Sequence, residues 1–203
     1  MLMLALALAT MPQPIGATLP GDLGAFSVLY SETRPARTRL DLTVDASGQP
    51  VRCDVVMSDG MGLLDRTACD LLMHRAHFSP ARDSAGTPVT AVVRQDFTVN
   101  RELGVRRAGG PAETAREVDF ALSVDHSPQP GAMMVADVLV MTDGSGHVTT
   151  CDVARSSGSA ALDRLACRQM TTTAFAAGVD RQQHPVRALR AVSVGFTADP
   201  VTR

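Results

Sequence analysis

Four cysteines are the residues of this chain whose type and spacing most directly suggest chemistry. Cys53 and Cys69 are as far apart in the sequence as Cys151 and Cys167. Four cysteines allow three disulfide pairings, and buried free thiols in a reducing compartment are the alternative. The sequence contains no CxxC motif and no closely spaced ligand pairs of the kind that zinc sites usually have. We therefore expect structural cysteines, no metal and no cofactor.

The acidic residues and histidines are the second group with chemical potential, and they would serve a small hydrolase. Asp65 with His74 or His77, and Asp125 with His126, are the candidate acid–base pairs. The sequence contains no GxSxG, HExxH or P-loop motif that would place a nucleophile, a metal or a phosphate beside them. We therefore predict that the protein has no catalytic residue and is not an enzyme.

The composition of the 203 residues is that of a globular protein. Apolar residues make up 45% of the chain and charged residues 20%, which disfavours disorder over most of its length. The net charge of -2 provides no basic field for nucleic acid or anionic lipid. Aromatic residues make up only 3% and tryptophan is absent, so a base-stacking or carbohydrate-binding surface is not expected.

Residues 1–17 have features of a secretory signal. The apolar run at residues 1–9 is too short for a membrane span, which needs roughly 20 residues, and prolines follow it. Its length suits the apolar region of a signal, although the first cation is Arg34. Cleavage after Ala17 is the expectation, and a buried N-terminal segment is the alternative. We predict an exported, periplasmic protein, tethered to the inner membrane if this segment is retained.

An internal repeat connects these residues to one structural unit. Residues 45–69 and 143–167 align without a gap and agree at thirteen of 25 positions. The four cysteines recur, and Asp65 matches Asp163, whereas His74 and His77 have no matching histidine in the other copy. The recurring residues are therefore expected to maintain the fold of a repeated unit.

The residues around this alignment set the boundaries of the two copies. The six phenylalanines form three pairs at matching positions: Phe26 with Phe120, Phe78 with Phe175, and Phe97 with Phe196. The first copy covers residues 24–99 and the second residues 118–198. Residues 100–117 are polar and contain glycine and proline, which is typical of a linker.

Within each copy the apolar pattern predicts two strands, a helix and a final strand. In the first copy, residues 39–44 alternate between polar and apolar, and a turn at residues 45–48 leads into the second strand at residues 51–57. Apolar residues at every fourth position mark one helix face in each copy: Leu64, Ala68, Leu72 and Ala76, and Leu162, Ala166, Met170 and Ala174. The final strands lie at residues 90–99 and 187–197. The predicted fold class is α+β, with two tandem ββαβ modules, each an antiparallel sheet with one helix packed on it and an internal disulfide.

The cysteines lie on elements that are expected to face each other. Cys53 falls in the second strand, and Cys69 borders the helix face that turns toward the sheet. Cys151 and Cys167 repeat this placement. A bridge within each copy is therefore geometrically natural, although the sequence alone does not decide among the three pairings. Such a bridge contributes about 3 kcal/mol in the chain-entropy model, which matters for a unit with a small core.

Several short motifs in the first copy resemble the TonB C-terminal domain family. In chain order they are DxSG, CxVxxSxG, LDxxAC, RAxFxPAxD and GxPV, at residues 45–48, 53–60, 64–69, 75–83 and 86–89. Together they cover most of that copy, and their order and spacing are moderately specific. The second copy keeps the first half of the pattern, but residues 175–180 lack the Pro-Ala pair, and only Pro185 and Val186 remain of the last motif.

The resemblance implies a periplasmic protein-binding domain. Members of this family contact outer-membrane transporters by adding the transporter's extended N-terminal segment to a sheet edge. The last strand of each copy is then the candidate edge, with Val92, Arg94 and Gln95 in the first copy and Ala191 and Ser193 in the second. The expected partner is an outer-membrane transporter or another envelope protein, with no nucleic acid and no small-molecule cofactor.

The sequence also departs from the family pattern. A complete TonB has a membrane anchor and a long Pro-rich spacer, and this sequence shows neither, so we expect a soluble or weakly tethered adaptor. Two copies on one chain can give avidity, or they can pack on each other and hide their edges. Self-association through sheet edges is a further expectation. The alternative function is a structural or regulatory envelope protein with no role in transport.

Overall fold

The computed structural model describes residues 9–15, 36–58, 60, 62–100, 104–107, 118–125 and 133–198. In this part of the chain the elements follow in the order β1 (Ala36–Val44), β2 (Pro50–Ser58), α1 (Gly62–Arg75), β3 (Ala81–Arg82), β4 (Pro88–Asn100), β5 (Gly104–Arg107), β6 (Phe120–Val124), β7 (Met134–Thr142), β8 (Val148–Arg155), α2 (Ala160–Thr171), β9 (Gly178–Val179), β10 (Pro185–Val186) and β11 (Ala188–Ala198). Within these ranges, neither helix is both long and apolar enough to cross a membrane.

Two antiparallel hairpins, β1–β2 and β7–β8, form around turns of the same design. Each turn begins at an aspartate, Asp45 or Asp143, whose carboxylate accepts hydrogen bonds from the backbone N–H groups two and four residues later. Gly48 and Gly146 have φ angles of +89° and +85°, a region that glycine enters without steric cost. Both hairpins therefore form where the sequence predicts them.

One helix packs beside each hairpin through most of the predicted apolar face. The prediction is wrong for Ala174, because α2 ends at Thr171 and Ala174 is exposed, whereas Ala76 follows α1 directly and is buried. The buried helix residues are Leu64, Ala68 and Leu72 in α1 and Leu162, Ala166 and Met170 in α2. The disulfide Cys53–Cys69 joins β2 to α1, and Cys151–Cys167 joins β8 to α2, with Cα–Cα distances of 5.7 and 5.6 Å. The predicted α+β class and both disulfides are thus confirmed.

The strands of both repeats belong to one mixed sheet, with the order β2-β1-β4-β11-β7-β8. The repeats meet where β4 and β11 run parallel, with Thr90 beside Ala188 and Val92 beside Arg190. The prediction of one separate sheet in each copy is therefore not confirmed. The two final strands satisfy each other's backbone groups along this short stretch, which removes two open edges.

The two helices cover opposite faces of this sheet. Val44 lies in the α1 core and pairs with Ala91, and Leu189 lies beside Ala91, so all three residues share the α1 face. Side chains alternate along a strand, which places Val192 and Val194 on the other face, where they pack against α2. Each helix therefore covers only one face of the strands in its own repeat.

A third apolar cluster lies at the junction of the two repeats. Its buried members are Ala81, Val89 and Ala91 from the first repeat and Leu139, Met141 and Leu189 from the second, together with Ala9, and Met11 packs against them. Because neither repeat holds this cluster alone, the halves share a core as well as a sheet. Ion pairs from Arg181 to Asp45 at 2.7 Å and from Arg187 to Asp83 at 3.1 Å also cross the junction.

The predicted linker is partly structured. Gly104–Arg107 forms β5, which pairs antiparallel with the end of β4. Phe120–Val124, at the start of the second copy, forms β6 and pairs parallel with the end of β11. Residues 108–117 and Phe26 lie outside the described residues.

The phenylalanines that close the two repeats do not occupy equivalent positions. Phe97 lies opposite Thr38, whose match in the second repeat is Ala136, but Ala136 lies opposite Val194. Phe196 lies two residues farther along its strand. A shift of two residues keeps the side chain on the same face, so each ring still enters the core of its own helix.

Candidate functional site

The predicted partner-binding residues of β4 lie at or beside the junction of the two repeats. Val92 pairs with Thr43 on one side and with Arg190 on the other. Beyond this point β4 and β11 diverge, and Arg94 and Gln95 pair only with β1 in the described part of the chain. Strand addition at Val92 therefore requires the junction to open, and the binding role of Val92, Arg94 and Gln95 stays a prediction.

The two predicted residues of β11 are also engaged. Ala191 pairs with Leu139, and Ser193 pairs with Asp137. On the outer side of β11, the Ser193 N–H donates to the Asp119 carboxylate at 2.8 Å, and the Ser193 carbonyl accepts from the Asp119 N–H at 2.8 Å. Asp119 thus occupies the backbone groups that an added strand would use.

A cavity of 170 Å³ lies where β4 and β11 separate, and Val92, Arg94 and Ala191 are among its lining residues. The structure therefore brings three of the five predicted edge residues to one place. Asp41, Asp119 and Arg190 also line it. Two carboxylates accompany the two guanidinium groups, so the cavity has no excess charge with which to attract an ion.

Arg190 is a buried cation at this junction. It is 6% exposed, and its Nη1 donates to Asp41 Oδ2 at 3.2 Å, while its Nη2 donates to the Ala176 carbonyl at 2.5 Å. Its guanidinium carbon lies 5.5 Å from the centre of the Phe175 ring, which is a cation–π distance. Burial lowers the pKa of Arg190 from its ordinary value, and the charge and hydrogen bond of Asp41 oppose that shift.

Among the described residues, β5 and β6 pair on one side only, and so do the outer strands β2 and β8 at the two ends of the strand order. Each outer strand contains two β-bulges at matching positions, where Val51 and Val56 in β2 and Thr149 and Ala154 in β8 have no partner residue. Bulges bend a strand and interrupt its ladder, which protects an edge from further pairing. Val55 and Val56 are exposed beside the second bulge, at 46% and 48%.

Residues 9–15 form an extended segment that runs antiparallel to residues 77–82. Four backbone hydrogen bonds connect the two segments: Thr10 N to Arg82 O at 2.8 Å, Arg82 N to Thr10 O at 3.0 Å, Ser79 N to Gln13 O at 2.8 Å, and Ile15 N to His77 O at 2.7 Å. The Gln13 N–H also donates to Ser79 Oγ at 2.9 Å. We call residues 9–15 the resident strand.

The resident strand covers the third apolar cluster. Ala9 is 8% exposed in that cluster, and Met11 packs against it. Pro12 and Pro14 have no N–H to donate, so the pairing has fewer hydrogen bonds than an ordinary strand of this length. We call the surface beneath the resident strand the groove: it has an apolar floor from both repeats and a wall of backbone donors and acceptors at residues 77–82.

Among the described residues, the hydrolase candidates Asp65, His74 and His77 each bond to a group outside the predicted acid–base pairs. Asp65 Oδ2 accepts a hydrogen bond from Ser58 Oγ at 2.6 Å, whereas the His74 ring nitrogen is 2.7 Å from the Asp70 carbonyl. His77 contacts the Gln49 amide at 3.3 Å. Asp125 is exposed at the end of β6, and His126 lies outside the described residues.

Asp65 and Asp163 instead tie the start of each helix to the preceding loop. Asp163 accepts hydrogen bonds from Ser156 Oγ at 2.5 Å and from the Ser157 N–H at 2.8 Å. Burial acts to raise the pKa of Asp163, but the hydrogen bonds from Ser156 and Ser157 outweigh it and hold this pKa below its ordinary value. Asp65 has the matching bond to Ser58, which explains why this aspartate recurs without a histidine.

Sequence reasoning missed Arg190 and the pairing of the resident strand with residues 77–82, although a buried N-terminal segment was its alternative to a signal. The apolar run at residues 1–9 predicted a signal segment, and that interpretation extended to residue 17 over the residues that pair with 77–82. Arg190 had a signal in the sequence, since it is the one cation in the apolar stretch Ala188–Ala198. A charge in a strand that is buried on both faces indicates a partner carboxylate.

A scan against protein-family models and searches of the curated proteins and the solved structures return no match to this chain.

Proposed function

We propose that this protein is an exported cell-envelope module that binds an extended segment of a partner protein by strand addition in the groove. The observation that carries this proposal is the resident strand itself. The chain seats an extended segment over an apolar floor through backbone hydrogen bonds, which is how proteins recognise peptides by β-augmentation. A partner segment would replace the resident strand and pair with residues 77–82.

Two features of the resident strand make it replaceable. Its prolines leave positions without a hydrogen bond, so a partner segment without proline can form more bonds to the same wall. It is joined to β1 through residues 16–35, long enough for it to leave the groove while the sheet stays intact. The specificity of such a site comes from alternate side chains that meet the apolar floor, where Ala9 and Met11 lie now.

The resemblance to the TonB C-terminal domain family gives the class of partner. It points to an outer-membrane transporter whose N-terminal segment is extended, and to a periplasmic location in energy-coupled transport. The two disulfides suit an oxidising compartment. A soluble or weakly tethered adaptor of this kind binds through its groove and needs no catalytic residue.

A capture experiment tests this function. The immobilised full chain is exposed to solubilised outer-membrane proteins from the source cells, and a captured transporter is tested again after deletion of its N-terminal segment. A locked variant, Gln13→Cys/Ser79→Cys, holds the resident strand in place by a disulfide, because this pair faces across the ladder. The control is Gln13→Ala/Ser79→Ala, which changes the same positions without a crosslink.

The expected result is capture by the wild type and the control, no capture by the locked variant, and loss of capture when the transporter's segment is deleted. Equal capture by the locked variant would place the binding site elsewhere. Absence of capture by every form would favour a structural or regulatory envelope protein.

A further inference from the structure

The cavity between β4 and β11 has a polar side on which one donor is not paired. Arg190 lines this cavity and is 6% exposed, and its two Nη atoms donate to Asp41 and to the Ala176 carbonyl. Its Nε atom is also buried, and among the described residues no group accepts a hydrogen bond from it. Buried donors in folded proteins are almost always paired, so this N–H indicates a position where a bound molecule accepts a hydrogen bond.

The other side of the cavity is apolar and is part of the core beneath α2. The rings of Phe120 and Phe175 meet edge to face, with their centres 6.3 Å apart, and both pack against that core. Val92 and Val192 also line the cavity and are 5% and 4% exposed. An apolar body therefore finds aromatic and aliphatic contacts in the same cavity as the Arg190 Nε donor.

The charges around the cavity are already balanced. Arg94 Nε and Arg190 Nη1 both donate to Asp41, at 3.0 and 3.2 Å. One oxygen of Asp119 pairs with Arg94, and the other accepts from the Ser193 N–H at 2.8 Å. A bound ion would have to compete with these partners. A neutral molecule only has to supply one acceptor to Arg190 Nε.

We propose that this cavity binds a small neutral molecule with a carbonyl oxygen and an apolar body, and that Arg190 Nε donates to that oxygen. The volume of 170 Å³ suits a substituted benzene, since a cavity of about 150 Å³ in another protein binds benzene. The cavity shares no residue with the groove, so this site is additional to the proposed peptide binding. A ligand in it contacts strands of both repeats and stabilises their junction.

The test titrates three probes of similar shape into the full chain: acetophenone, which has the carbonyl oxygen, ethylbenzene, which lacks it, and benzoate, which adds a negative charge. Binding is followed in proton–nitrogen NMR spectra that include the arginine Nε–H signals. Acetophenone is expected to bind about tenfold or more tightly than either other probe, because the hydrogen bond comes from a charged donor. It is also expected to shift the Nε–H signal that Arg190→Lys lacks.

Two substitutions at one position test the location of the site. The Val92 side chain shares a sheet face with Arg190, beside which it lies, so Val92→Phe fills the cavity and Val92→Ala enlarges it. Loss of acetophenone binding is expected for Val92→Phe and retention for Val92→Ala. Arg190→Lys keeps a cation for Asp41 without an Nε–H, and in this variant acetophenone is expected to lose its advantage over ethylbenzene.

Equal affinity of the wild type for acetophenone and ethylbenzene, tightest binding of benzoate, or no binding of any probe overturns this inference. Unchanged acetophenone binding by Val92→Phe overturns it as well. The comparison of the three probes on the wild type decides the question even where a variant does not fold. None of these results bears on peptide binding in the groove, which uses other residues.

Discussion

At the scale of single residues, the Asp41 carboxylate holds the two repeats together electrostatically. Its Oδ2 accepts from Arg190 at 3.2 Å and its Oδ1 accepts from Arg94 at 3.0 Å. The side chains of Asp41 and Arg190 are 12% and 8% exposed, whereas Arg94 is 35% exposed. Removing the shared carboxylate therefore leaves the buried Arg190 cation without a carboxylate, while removing Arg94 keeps the Asp41–Arg190 pair and takes one partner from Asp119.

We predict that Asp41→Asn lowers the free energy of unfolding by about 3 kcal/mol, because it isolates the buried Arg190 charge. Arg94→Ala is expected to cost about 1 kcal/mol or less, since solvent screens this group and Asp41 keeps Arg190. Urea unfolding followed by circular dichroism measures both values. Equal costs would mean that the Asp41–Arg190 pair does not stabilise the junction.

The turn aspartates predict how stability depends on pH. Asp143 and Asp180 each accept hydrogen bonds from the backbone N–H groups two and four residues later, and these bonds hold the pKa of both groups below the ordinary value of 3.8. A lowered folded-state pKa gives stability that is complete above the unfolded pKa and is lost as the pH falls through the folded one. We therefore expect Tm to decrease when the pH is lowered below about 4. Asp143→Asn and Asp180→Asn should each reduce that acid dependence, and an unchanged dependence in both would contradict this account.

At the scale of elements, the hairpin turns fix the segment that follows each helix. The carbonyl of Gly48 accepts from the Phe78 N–H at 3.0 Å, and Gly146 accepts from Phe175 at 2.9 Å. A Cβ atom on these glycines would lie 1.9 and 1.8 Å from the carbonyl oxygens of Phe78 and Phe175. Gly86 also has a positive φ, of +78°, but a Cβ there would meet no atom within 4 Å.

We predict that Gly48→Ala and Gly146→Ala each lower the free energy of unfolding by about 3 kcal/mol or more, because backbone must move. Gly86→Ala is the matched control, and its expected cost is about 1 kcal/mol from the left-handed backbone alone. Chemical denaturation of the three variants measures the difference. A cost for Gly48→Ala no larger than that for Gly86→Ala would show that the turn does not hold the segment after the helix.

The sequence was sufficient to predict the hairpins and most of each helix face, because each depends on local periodicity or on a pattern that occurs twice. It favoured a disulfide within each repeat but left all three cysteine pairings open. It was not sufficient for the contact between β4 and β11. The apolar pattern of each strand is compatible with an edge strand and with an interior strand. Which one it becomes depends on whether it pairs with a strand that lies 98 residues away in the sequence. No local sequence pattern predicts that Thr90 lies beside Ala188.

At the scale of the whole molecule, the shared sheet and third cluster make the repeats depend on each other. We predict one cooperative thermal transition for the full chain and no stable fold for residues 24–99 alone, since Ala91 and Val89 would lose their cover from the second repeat. Calorimetry and circular dichroism test this, with residues 118–198 as the companion fragment. Two separate transitions, or a folded fragment, would restore the expectation of independent modules.

The candidate site was the least predictable part, for a physical reason. An apolar N-terminal stretch is typical of a signal segment and also of a strand that covers a core. The two are distinguished only by whether the folded protein has an apolar surface for the stretch to cover. That floor is assembled from both repeats, so it does not exist until β4 and β11 meet. The predicted edge residues Val92, Arg94 and Ala191 were brought to one cavity by the same event.

The most direct test of the central claim, that the groove takes an extended segment, is a titration of a labelled peptide with the sequence of residues 9–15, followed by fluorescence anisotropy. Three forms of the full chain are compared: Met11→Asp, which weakens the resident strand, the wild type, and the locked variant Gln13→Cys/Ser79→Cys. The account predicts saturable binding that is strongest for Met11→Asp, weaker for the wild type, whose tethered strand competes, and absent for the locked variant. Equal binding by the locked variant, or no binding by Met11→Asp, would contradict the claim.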